Sequence, residues 1–142
     1  MGDSEAFVVS WRAIGRFQRW VAVCVFALAV FAGVGAGREA GLVAVAFGVG
    51  FMVLTTVTFL VTPRFSPGVM TVGWGSVRRR FRADRYAKAV VSSGYPQLLL
   101  VDAREGIVKT GVHRQMFVDP DAVDAAFVRW AQQSGLEVVR EG

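Results

Sequence analysis

Two long apolar runs followed by short alternating segments set the plan of this chain. From Trp20 to Ala36 it reads WVAVCVFALAVFAGVGA without a charge, and Gly37 extends the run by one. From Ala40 to Thr62 it reads AGLVAVAFGVGFMVLTTVTFLVT, again without a charge. A helix needs about 20 apolar residues to cross roughly 30 Å of hydrocarbon. The second run meets that length. The first reaches it if Phe17 extends it and Arg19 snorkels its charge toward the headgroups. Gly37-Arg38-Glu39 is the only polar break between the runs. The expected element is a transmembrane helical hairpin over 20–62, with spans of about 20–37 and 40–62. The first run starts only at Trp20 and is followed at once by another, which fits a retained span better than a cleaved signal peptide.

The flanks read differently. Residues 1–19 hold Asp3, Glu5, AFVVSW and then Arg12, Arg16 and Arg19. That pattern predicts an amphipathic segment at the membrane interface, with Trp11, Phe17 and Trp20 at headgroup level. TPRFSPG, 62–68, ends the second helix through two prolines and a glycine. Beyond it, 63–142 predicts a small α+β domain of antiparallel strands with a C-terminal helix. VMTVGW, SVRRRFRA, QLLLVD, GIVKTGV and QMFV read as strands, Asp102–Gly106 as a turn, YAKAVVSSG as ambiguous, and LEVV as a possible last strand. The clearest local signal is a helix after Asp119. Asp119 is its N-cap, Pro120 its first residue and Asp121 a favourable charge, with Val123, Phe127 and Trp130 on one apolar face and Gly135 as the stop.

Charge orients the hairpin. Arg12, Arg16 and Arg19 precede it, and Arg64 and an arginine cluster follow it, whereas the turn has only Arg38 beside Glu39. The positive-inside rule places both termini in the cytoplasm of a bacterial inner membrane. The composition adds a source. There is no Asn, and two Ile and two Lys stand against fourteen Arg, as in a high-GC bacterial genome. The excess of apolar residues, 54% of the chain, sits in the hairpin.

Two features are candidates for binding. Small residues recur at four-residue spacing: Ala29, Gly33 and Gly37 on the first span, and Ala40, Ala44 and Gly48 on the second. Such stripes let helix backbones approach closely, either within the hairpin or against another protein. SVRRRFRADR holds Arg78, Arg79, Arg80, Arg82 and Arg85. As a strand it places Val77, Arg79 and Phe81 on one face, with Val77 and Phe81 pointing inward, and Arg78, Arg80 and Arg82 on the other. The cluster could meet lipid phosphates or an acidic subunit surface, or mark topology only.

Two closely spaced membrane helices, short strands and a terminal helix resemble the small actinobacterial membrane proteins that bear a pleckstrin-homology-like cytoplasmic domain. QLLLVDAREGIVKTGVHRQMFVDPDAVDAAFVRWAQQ carries most of the likeness: a strand pair, then an aspartate-capped amphipathic helix with a tryptophan. The resemblance implies a binding module rather than a catalyst. It also implies an accessory or association factor of a respiratory-chain supercomplex.

Recognisable chemistry is sparse. There is no phosphate loop, HExxH, GxSxG or cysteine cluster. Cys24 lies in the first span and His113 is the only histidine. Asp102 with Glu105, and Asp119 with Asp121 and Asp124, read as turn and cap residues. No ionisable Asp, Glu, Lys, Arg or His interrupts either span, which argues against an ion pathway. The expectation is therefore a non-enzyme without cofactor or metal. Integral membrane subunits and anionic phospholipid are its expected partners, not nucleic acid or a small-molecule substrate. It would be an accessory subunit that stabilises a larger complex, or alternatively a membrane-anchored, lipid-binding regulatory module.

Overall fold

The computed structural model describes residues 7–74 and 77–142. They divide into two compact units, Trp11–Phe59 and a small domain built from residues 7–10 and 60–142.

The first unit is a helical hairpin, α1 (Trp11–Ala36) and α2 (Arg38–Phe59). At about 1.5 Å per residue, both helices exceed the thickness of a hydrocarbon core. Both are long and apolar enough to cross a membrane, each holding an 18-residue stretch of mean hydropathy 2.0 in α1 and 2.2 in α2. Their large side chains, Phe26, Phe31, Phe47 and Phe51 among them, point outward. Nothing breaks α1 between Trp11 and Trp20, so residues 11–19 of the expected amphipathic segment are not a separate helix but the first turns of α1. The first six residues of that segment, with Asp3 and Glu5, lie outside the described residues. The second helix stops at Phe59, short of the expected Thr62, because Thr62 already belongs to a strand.

Gly37 alone joins the helices, at φ 96°. A left-handed residue after a helix end favours glycine, and Gly37 has open space around it. Its role is the turn, not the packing stripe. The other small residues do meet across the hairpin. A Cβ on Gly41 would lie 3.1 Å from the Ala29 carbonyl oxygen and 3.3 Å from the Gly33 Cα. One on Gly48 would lie 2.9 Å from the Val25 Cβ and overlap both of its methyl carbons. The close approach in the second helix thus runs through Gly41 and Gly48, with Ala40 and Ala44 only partly covered. Farther down, the Gln18 amide donates to Thr55 Oγ1 at 2.9 Å and Thr56 Oγ1 at 2.8 Å. Both hydroxyls donate back to carbonyls of their own helix. Phe17 and Phe59 close that end edge to face.

In the small domain, β1 (Thr62–Ser66), β2 (Val69–Trp74) and β3 (Val77–Arg82) form an antiparallel sheet in that order. The stretch expected to be only a helix stop is therefore strand β1. Pro63 is tolerated because β1 is an edge, and Pro67-Gly68 makes the tight turn, with Gly68 at φ 70°. The second sheet contains β4 (Tyr86–Ser92), β5 (Gln97–Asp102), β6 (Gly106–His113) and β7 (Glu137–Glu141) in the order β6-β5-β4-β7. QMFV is not a strand. Arg114–Met116 is a 3-10 turn, and only Phe117 makes a bridge, to Val9. Alternation in residues 7–9 explains this bridge: Phe7 and Val9 pack on the core while Val8 is exposed.

Helix α3 (Pro120–Gln133) forms where its caps place it. Asp119 accepts from the Ala122 N–H at 3.0 Å, and Gly135 takes φ 76°. A last strand follows it, over the LEVV stretch. The helix acts as a crossover, and β7 returns parallel to β4, so the sheet is not purely antiparallel. Parallel neighbours need such a crossover connection. The core joins Met70, Val72 and Phe81 of the first sheet to Leu98, Leu100 and Val112 of the second, with Phe127 and Trp130 of α3. The Trp130 indole donates to the Ser66 carbonyl at 3.0 Å, tying α3 to β1.

Candidate anion-binding face

Register decides what the arginines share. Thr62 pairs with Gly73 and Gly73 with Arg78; Arg64 pairs with Thr71 and Thr71 with Arg80; Ser66 pairs with Val69 and Val69 with Arg82. Paired residues project to the same side of a sheet. One face of the first sheet therefore carries Arg64, Arg78, Arg80 and Arg82, all exposed, among Thr62, Ser66 and Thr71. The opposite face buries Pro63, Met70, Val72 and Phe81. Every charge that these strands place on the polar face is positive.

The five arginines of the expected cluster separate. Arg78, Arg80 and Arg82 project together as expected. Arg79 lies on the other face, its guanidinium 5.4 Å from the Phe81 ring centre, an arrangement that is attractive through the ring quadrupole. Arg85 leaves the strand and reaches the β5–β6 turn, 3.6 Å from both Asp102 and Glu105. Arg82 pairs with Asp84 at 2.7 Å, but both are well exposed, and such pairs contribute little. Val77, expected inside, is 75% exposed, whereas Phe81 is buried as expected. Val77 lies at the end of β3 beyond the core.

The sequence alone marks Arg64 as a topology charge. Its place in the face follows from β1, which the prolines disguise. Gly73 enables the sheet. A Cβ there would fall 2.7 Å from the Arg78 Cα and overlap the Val77 carbonyl oxygen, so β3 can approach β2 only past a glycine.

Three titratable groups away from this face have defined partners. Asp102 is 7% exposed, and its Oδ1 accepts from the Arg104 and Glu105 N–H groups at 2.7 and 3.3 Å. The Arg104 bond chiefly holds its carboxyl below the usual range. The folded pKa is depressed, so this contribution is present above the unfolded value near 3.8. It is lost as pH falls through the folded value. Burial pushes Asp124 up, against its 2.7 Å pair with Arg114. Acidification through that raised value relieves the burial penalty, the opposite sign. Asp102→Ala should therefore flatten the acid limb of the stability curve below about pH 4. The check is the wild type minus variant melting difference across an acid series; a difference independent of pH would refute it.

His113 contacts Gln97 Nε2 at 3.0 Å, and burial lowers its pKa. No cluster of three His, Cys, Asp or Glu suited to a metal occurs among the described residues. Cys24 is exposed on α1. No family model, curated protein or solved structure matches the chain.

Proposed function

We propose that this chain is a non-catalytic accessory subunit of a larger inner-membrane assembly. The hairpin anchors it with both termini cytoplasmic, and the small domain binds its surroundings through the arginine face. The single observation that carries the binding role of the small domain is that face: Arg64, Arg78, Arg80 and Arg82 from two strands on one side of a sheet whose other side is core. The layout that resembles small actinobacterial accessory proteins makes a respiratory-chain supercomplex the leading candidate for the assembly. The hairpin supports a limited version of the reading. Its small residues are largely engaged between its own helices, so partner helices would meet the outward phenylalanines instead.

The test is purification of the natively expressed chain in mild detergent, with a reporter after Gly142 to fix orientation. The expected result is stoichiometric co-purifying membrane subunits and a reporter active only in the cytoplasm. A lone monodisperse protein would overturn the accessory role, and a reporter active only outside would overturn the topology.

A further inference from the structure

We propose that the polar face of the first sheet binds the phosphates of anionic phospholipid headgroups; this rests on the binding-module reading and names the ligand of its site. Strand spacing sets the array. A strand rises about 3.3 Å per residue and alternate residues share a face. Arg78, Arg80 and Arg82 on β3 therefore form an evenly spaced line of cations. Neighbouring strands lie about 4.8 Å apart. Arg64 stands in the same row as Arg80, two strands away. The result is a shallow plane of guanidinium groups rather than a pocket. Guanidinium forks match phosphate oxygens in pairs, and the threonine and serine hydroxyls between them add further donors.

The composition of the face favours lipid over a protein partner. The centre of a protein interface is depleted in charge and anchored by buried aromatic side chains. Among the described residues, the register gives this face no aromatic position, and Val69 is its only large apolar one. The chain also holds the face near the candidate span in sequence, since only Leu60 and Val61 separate α2 from β1. Tethering matters because the attraction fades over about 8 Å at physiological salt. Each basic residue near an anionic leaflet strengthens binding by about fivefold.

The test uses the full chain with Cys24→Ser and a fluorophore on Ser66→Cys, an exposed position on the same face. The chain is placed in nanodiscs of phosphatidylcholine with increasing phosphatidylglycerol, plus trace headgroup-quencher lipid. Quenching should rise with phosphatidylglycerol and fall with salt. Arg64→Gln/Arg78→Gln/Arg80→Gln should need about tenfold or more anionic lipid for the same quenching. Arg80→Glu alone should weaken the response, and it serves if the triple variant loses its near-ultraviolet circular dichroism. Equal quenching in pure phosphatidylcholine, or an unchanged response in the folded variants, overturns the proposal. A triple variant that loses the lipid response but keeps its co-purifying subunits supports it and leaves the accessory role standing. Loss of those subunits with no anionic-lipid response assigns the face to an acidic protein surface. That overturns the lipid proposal alone.

Discussion

Phe127→Ala should cost the small domain about 3–5 kcal/mol. Phe127 is fully buried. Its ring stacks on Trp130 at 5.9 Å and packs against Phe65 at 6.4 Å. Removing it opens a cavity where α3 meets β1. A domain of this size has about 4–12 kcal/mol in total, so the loss is a large share of it. Denaturation in detergent, followed by the near-ultraviolet signal of the tryptophans, measures it. Ile107→Ala, at a position 67% exposed, should shift stability by about 0.5 kcal/mol or less. Similar losses in both variants would refute the assigned core.

Gly48→Leu should part the two helices of the hairpin, with an overpacking cost of about 1–3 kcal/mol or more. The leucine Cβ would fall 2.9 Å from the Val25 Cβ and overlap its methyl carbons. Valine in a helix has one strongly preferred rotamer, so Val25 cannot swing away and the backbones must separate. Gly50→Leu is the internal control, because nothing lies within 4 Å of a Cβ there. Spin labels at the exposed positions Ala22 and Val53, with Cys24→Ser, would report the separation. The distance should lengthen in Gly48→Leu and stay put in Gly50→Leu. An unchanged distance in both would mean that the small residues do not set the helix approach.

What can be read in advance is local. The two apolar runs, the Asp119 cap, the Gly135 stop and the Asp102 turn each depend on neighbours a few residues away. What escapes depends on distant partners. Pro63 reads as a breaker until β2 supplies an edge for it to sit on. The bridge between Val9 and Phe117, and the pairing of β7 with β4, join segments that no periodicity links. Gln18 looks ordinary beside Arg19 because Thr55 and Thr56 lie 37 and 38 positions away. The arginine face is half legible. Alternation puts Arg78, Arg80 and Arg82 together and Arg79 opposite them with Phe81, but only the β1–β2–β3 register adds Arg64, and only the three-dimensional contacts show where Arg85 goes.

The parallel seat of β7 has a consequence for how the domain comes into being. During synthesis β4 and β5 emerge well before β7, and a ribosome adds about 5–20 residues per second. For some seconds the flank of β4 that β7 will occupy is an unpaired strand edge, the kind of template on which other chains pair and aggregate. Residues 137–141 close it. A premature stop or a proteolytic nick before them would trim more than a tail. It would turn an interior strand of a four-stranded sheet into a permanent open edge, on which other chains could pair.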